Sequence, residues 1–204
     1  MKILFIRHGE SLANIGKASA YIDEDVKNKL TPNGLAQIQE TAKSIDSKIS
    51  AVYASPMRRT IESAKVFIDA GHQQTSLFVD DRLREINYGI YTDDRDNPEM
   101  AQIAARQIAG DYEIRFGGGE NKREILTRFF DFINDCYKQH RHDSIVVFSH
   151  GRAISMVESE FCRINKIQKK HIHTDNGTLK ELEVNKKVLS GLLTQVGTSS
   201  ILDL

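Results

Sequence analysis

The sequence predicts an α/β fold built around a largely parallel sheet, and three observations carry that prediction. Short apolar runs at residues 2–6, 51–54 and 145–148 read as strands buried on both faces. Longer stretches between them place apolar residues at helical spacing. Strands and helices alternate along the chain, which is the pattern of parallel strands joined by helical crossovers.

Each element has its own signal. Lys2, Ile3, Leu4, Phe5 and Ile6 open the chain as a strand. Leu35, Ile38, Ala42 and Ile45 form the first helical stripe, with Thr31 as its cap and Pro32 in its first turn. Ala51 to Ala54 make a second strand, followed by a stripe of Met57, Ile61, Ala64 and Ile68. Ile125, Leu126, Phe129, Ile133 and Cys136 form a third stripe. The strand Ile145, Val146, Val147 and Phe148 precedes a fourth, Ala153, Ile154, Val157 and Phe161. Residues 178–193 hold two β-prone runs around Asn185, Lys186 and Lys187 and read as a hairpin. Residues 86–119 are the least regular part, with Asp93, Asp94, Arg95 and Asp96, Pro98, and Gly117, Gly118 and Gly119. That stretch reads as an insertion or lid, so residues 1–204 are expected to form a single domain.

Composition narrows the function. The chain has 204 residues, enough to bury a core without staples. A formal net charge of zero argues against a general nucleic-acid or membrane-surface binder. Cys136 and Cys162 have no CxxC spacing and read as free thiols, which suits a reducing compartment. The apolar run before Arg7 is too short for a signal peptide or a membrane span, and no later run is longer. A cytoplasmic protein is expected.

The chemistry gathers at strand ends. Strand 2–6 runs into Arg7, His8, Gly9 and Glu10; strand 145–148 runs into Ser149, His150, Gly151 and Arg152. Ligands of open α/β sheets bind beyond the carboxyl ends of the strands, so neighbouring strands would bring both histidines to one crevice. Glycine after each histidine lets the backbone come close to a ligand, and a helix starting behind each pair would favour an anion. The strand at 51–54 delivers Arg58 and Arg59 to the same edge. Arginine suits phosphate because its planar fork donates two hydrogen bonds at once. Two histidines, arginines and helix N-termini at one crevice make a phosphate site.

These residues resemble the signature of the histidine phosphatase superfamily, in its phosphoglycerate mutase-like branch. The resemblance rests on Arg7, His8, Gly9, Glu10 and Ser11 with Asn14, then Leu30 to Gln37, Ala54 to Thr60, and Leu83 to Ile86 with Gly89. It resumes at Gly118, Gly119 and Glu120, at Ser149, His150 and Gly151, and at Asn176, Gly177 and Thr178. It implies a phosphoglycerate mutase-like three-layer sandwich. It also implies that His8 becomes phosphorylated, that Arg7, Arg59 and His150 bind the phosphoryl group beside Gly151 with Asn14 assisting, and that Glu85 donates the proton. Family spacing assigns the pocket to Arg59 and leaves Arg58 at a variable position.

The implied reaction is chemically coherent. Neutral imidazole is a nucleophile, and at pH 7 roughly three-quarters of ordinary histidine is neutral. Cations around it would neutralise charge on the transferring group, and covalent capture divides one hard step into two easier ones. A carboxylic acid at Glu85 would protonate the leaving oxygen and later take a proton from water. Arg82 and Arg84 flank Glu85 and, turned inward, would pair with it. No metal and no cofactor is expected. His140 and His142, like His171 and His173, stand two apart, which suits neither a helical face nor a zinc pattern, and they read as loop histidines. The acidic run 93–96 lacks the later glycine and glutamate of a calcium loop.

A phosphatase is favoured over a mutase. Mutases of this family are similar to one another in a Thr-Gly pair after the first helix, in a longer insertion with paired arginines, and in a C-terminal tail. Residues 15–29 lack the first, and the chain after Gly89 lacks the second. The expected activity is thus hydrolysis of a phosphomonoester on a small metabolite, with a phosphoprotein as the other substrate class. The alternatives are a phosphoglycerate mutase-type phosphotransferase and a catalytically silent domain that binds a phosphorylated ligand. Neither nucleic acid nor membrane is an expected partner. Arg152 is a large charged residue at the mouth of the site, suited to a second anionic group on the substrate or to a helix surface.

Overall fold

The computed structural model describes residues 1–19, 27–92, 97–167 and 174–197. Among these, five strands form one sheet: β1 (Lys2–Arg7), β2 (Ile49–Ala54), β3 (Leu77–Val79), β4 (Ser144–Ser149) and β5 (Leu179–Glu183). Their spatial order is β3-β2-β4-β1-β5, parallel throughout except for β5, which runs antiparallel on the edge beside β1. The helices are α1 (Pro32–Lys43), α2 (Arg58–Asp69), α3 (Pro98–Ile108), α4 (Lys122–His140), α5 (Gly151–Ile164) and α6 (Lys186–Val196).

Strand alternation builds two cores. Ile3, Phe5, Ala51, Tyr53, Ile145 and Val147 face one side and pack with the apolar faces of α4, α5 and α6. Leu4, Ile6, Val52, Ala54, Val146 and Phe148 face the other and pack with Ile38 and Ala42 of α1 and Ala64 and Phe67 of α2. Successive side chains of a strand point to opposite faces, so a sheet covered on both sides needs near-continuous apolar strands. The result is the three-layer α/β sandwich that the sequence led us to expect.

Several elements depart from the expectation. The hairpin at 178–193 is instead β5 followed by α6. Asn185 accepts a hydrogen bond from the Val188 amide and caps the helix, and Val188, Leu189, Leu192, Leu193 and Val196 bury one helical face. The described residues of 86–119 hold more regular structure than their sequence suggested. They contain α3, capped by Asn97 with Pro98 in its first turn, and they bury Ile86, Tyr88, Tyr91, Met100, Ile103 and Phe116 in the same core as the apolar face of α4. Leu35 is 39% exposed despite its place in the first apolar stripe. The buried face of α2 carries Arg59, Thr60 and Ser63 beside Ala64 and Phe67, while Ile61 and Ile68 are only half-buried. Cys136 and Cys162 are thiols and not a disulfide pair, as expected. The acidic run 93–96 and His171 and His173 lie outside the described residues. Among the described residues, no helix is long and apolar enough to cross a membrane.

Candidate active site

β1 and β4 are neighbours in register, with Arg7 opposite Ser149, and β2 lies on the far side of β4. All three strands therefore end at one edge. The backbone ladder continues just past them: His8 N donates to Ser149 O at 3.1 Å, and Ser55 N to Phe148 O at 3.0 Å. His8, His150 and Arg59 meet there, all buried, at 4%, 0% and 3% exposure.

The hydrogen bonds assign tautomers. His8 Nδ1 donates to the Gly9 carbonyl at 2.7 Å, since only the ring can supply that proton. Its Nε2 is then the bare nitrogen, and Arg59 Nε donates to it at 3.3 Å. Arg59 Nη2 also donates to Nδ1 of His150 at 3.3 Å, so the His150 proton sits on Nε2, 2.9 Å from Ser55 Oγ. The two rings stand 5.3 Å apart in an edge-on arrangement. Burial and the adjacent Arg59 guanidinium hold His150 well below the ordinary histidine pKa, with smaller pushes from His8, Arg128 and Arg7.

Each side chain is placed by its own element. Arg59 leads the buried face of α2. Ser63, one turn on, donates to the Arg59 carbonyl at 2.7 Å and accepts from Gly9 N at 3.1 Å, locking α2 to the loop behind His8. Arg58 turns outward to Glu62 at 2.7 Å. Arg7 Nη1 donates to Thr174 O at 2.7 Å. A Cβ at Gly151 would stand 3.1 Å from Nε of Arg7, so glycine there makes room for the arginine under the start of α5. At Gly9 a Cβ would stand 2.3 Å from the Gly34 carbonyl oxygen. Both glycines thus serve protein contacts, a correction to the view that they clear space for a ligand alone. A second correction concerns helix starts. α5 begins directly after His150, but behind Gly9 the described residues form turns, and the next α-helix among the described residues is α1 at Pro32.

Glu85 lies at the N-terminus of α5. Its Oε1 accepts from Ala153 N at 3.1 Å and from its neighbour Ile86 N at 3.0 Å. The flanking arginines leave it alone: Arg82 pairs with Asp80 and Asp135, and Arg84 with Asp81. Asn14 is exposed, and its Oδ1 accepts from Ser11 N at 3.0 Å and from Asn176 Nδ2 at 3.2 Å. Asn176 Nδ2 also donates to His8 O at 2.9 Å, so Asn14 reaches His8 through the loop at 176–178. Arg152 is exposed, with its guanidinium 5.4 Å from the centre of the Tyr88 ring. His140 closes α4 and is 2.9 Å from the Tyr53 hydroxyl, so it is no loose loop residue.

Sequence reasoning missed Ser55, Ser63, Thr174 and Arg128. Ser55 directly follows β2 and Ser63 falls four residues after Arg59 on one helical face, signals that a search for polar residues near strand ends would have caught. Nothing local marks Arg128. Among the described residues, no three His, Cys, Asp or Glu side chains cluster as metal ligands do.

A sequence model of the histidine phosphatase superfamily (branch 1) matches residues 3–193. Phosphoserine phosphatase 1 of Hydrogenobacter thermophilus is 25% identical over 154 residues, covering 74% of this chain and 71% of the relative. The metal-independent phosphoserine phosphatase of Arabidopsis thaliana is 24% identical over 163 residues, covering 76% and 66%. In fold, the chain resembles a mycobacterial glucosyl-3-phosphoglycerate phosphatase solved with vanadate, with a TM-score of 0.72, 19% identity, and coverage of 93% and 94%.

Proposed function

The chain belongs to branch 1 of the histidine phosphatase superfamily, and from that premise we propose that it is a metal-independent phosphomonoester hydrolase that carries the phosphoryl group on His8. One observation carries the reading. The Gly9 carbonyl holds the proton of His8 on Nδ1, so the bare Nε2 faces Arg59 and His150. A phosphoryl group entering there would take the Arg59 donors onto its own oxygens. That leaves the Nε2 lone pair for phosphorus.

In the first step an N–P bond forms at Nε2 and the P–O ester bond breaks. The leaving oxygen takes its proton from the Glu85 carboxyl. Water then attacks the phosphohistidine, Glu85 takes up a proton, and phosphate leaves with the N–P bonding pair returned to Nε2. Arg7 and Arg59 balance the charge on the phosphoryl oxygens throughout. Ser55 lets His150 help: a hydroxyl turned to donate to Nε2 leaves Nδ1–H for a phosphoryl oxygen. The names of the relatives make phosphoserine, a small phosphorylated acid, the first substrate to try.

The test is a rapid quench during turnover of labelled phosphoserine, with chelator present. Acid-labile, base-stable label should appear on the wild-type chain and be absent from His8→Ala. Measurable hydrolysis with no label on the wild type would overturn the phosphohistidine route. Activity lost to chelator would overturn the metal-independent one.

A further inference from the structure

Glu85 sits in chain that has little regular structure, between a 3-10 turn at Asp81–Leu83 and another at Gly89–Tyr91. No ladder of strand partners fixes it. Four consecutive backbone carbonyls around it are held by side chains instead. Arg128 of α4 donates from Nη1 to Arg82 O at 2.6 Å and to Arg84 O at 2.8 Å, and from Nη2 to Glu85 O at 3.3 Å. Ser149, the residue before His150, donates from Oγ to Leu83 O at 2.8 Å.

The guanidinium is itself oriented. Its Nε donates to Glu120 Oε1 at 2.8 Å and its Nη2 to Oε2 at 3.1 Å. Glu120 Oε2 also accepts from Asn87 N at 2.8 Å, so the pair grips the segment on both sides of Glu85. Both side chains are mostly buried. Gly119 makes this approach possible, because a Cβ there would stand 2.1 Å from Asn87 O. The Gly-Gly-Glu sequence at 118–120 thereby acquires a physical role.

We propose that Arg128, oriented by Glu120, is a positioning residue that sets the Glu85 carboxyl against the leaving oxygen of the substrate. The inference rests on Glu85 being the proton donor. Five N–H donors in a rigid plane can hold three carbonyls and a carboxylate together; the single ammonium of lysine cannot. A proton donor displaced by even an ångström loses much of its effect.

A leaving-group comparison separates positioning from general support. Alkyl esters such as phosphoserine and β-glycerol phosphate need a proton on the departing oxygen, whereas 4-nitrophenyl phosphate releases a stable anion. kcat/KM reports the transfer to His8 alone, since release of the alcohol ends the reversible part. For Arg128→Lys, kcat/KM should fall about 10–100-fold on the alkyl esters and less than about 3-fold on the aryl ester. Glu120→Gln should show the same selectivity more weakly, and it serves as the readout if Arg128→Lys does not fold. Equal losses on both ester types, or no loss on either, would overturn the positioning role. Glu85→Gln is the control. If it shows the selective loss and the Arg128 and Glu120 variants do not, positioning fails and the acid assignment stands. If Glu85→Gln shows no selectivity, the acid assignment itself fails.

Discussion

The two halves of the candidate site are held by different means. The half with His8, the proposed nucleophile, Arg59 and His150 stands where three parallel strands end, and the sheet ladder itself runs into His8 and Ser55. The half with Glu85, the proposed acid, hangs on a segment with no ladder, where Arg128, Ser149 and Glu120 grip the backbone. Backbone pairing tolerates many side chains. A side-chain grip depends on each member. Substitution should therefore be tolerated differently in the two halves.

The largest effect belongs to His8, the proposed nucleophile. His8→Ala should lower kcat/KM by about 10⁴-fold or more, as loss of a nucleophile does elsewhere, while thermal stability changes little because the ladder through Ser149 stays intact. A comparable loss of stability would mean that the His8 ring, rather than the strand end, holds that half together. Steady-state kinetics and a melting curve on one sample decide it.

Next comes the glycine contact under His8. Gly9→Ala would place a methyl 2.3 Å from the Gly34 carbonyl oxygen, which is backbone and cannot swing aside. A cost of about 2–3 kcal/mol in urea unfolding is expected, in line with overpacked sites. A change below about 0.5 kcal/mol would show that this loop yields, and that the half with His8 is less rigid than its ladder implies.

The same contrast explains what could be read beforehand. His8, Arg59 and His150 were legible because strands announce themselves in apolar runs, and the residue after a run is a fixed address. Glu85 came only through family resemblance, for its segment has no periodicity. Arg128 was illegible. It faces Glu85 from a helix more than forty residues away in sequence, and only the tertiary structure brings the two together. The buried face of α2 misled in another way. Arg59, Thr60 and Ser63 are polar where periodicity expects apolar residues, because the face that meets the sheet also builds the site. The missed α6 had its signal in Asn185 as a cap, which a β-prone composition concealed.

A third outcome concerns pH. In the free protein His150 is held neutral by burial and Arg59, so its folded pKa lies below its unfolded value near 6.5. The unfolded chain then binds the extra proton first as pH falls. Stability is full above about pH 6.5 and declines below it, by at most about 1.4 kcal/mol per pH unit for one proton. His150→Asn should flatten this part of the profile relative to wild type. Parallel profiles between pH 6.5 and 5 would mean that other groups carry the dependence.

The smallest effect tests the division between adjacent arginines. Arg58 and Arg59 differ by one position on α2, yet one guanidinium is partly exposed beside Glu62 and the other is buried between the two histidines. An exposed pair one helical turn apart contributes about 0.3–0.5 kcal/mol. Arg58→Ala should therefore shift the unfolding midpoint slightly and leave kcat/KM within about 2-fold. Arg59→Ala, by contrast, removes the only cation that touches both His8 Nε2 and His150 Nδ1 among the hydrogen bonds of the described residues. It should reduce kcat/KM by about 10²–10³-fold, the range seen when a donor to developing charge is lost. If the two variants lose activity alike, the pocket extends to the outer face of α2 and the assignment of Arg59 alone is wrong. If Arg58→Ala loses more stability than activity and Arg59→Ala the reverse, the strand-end half of the site separates charge for catalysis from charge for folding within a single dipeptide.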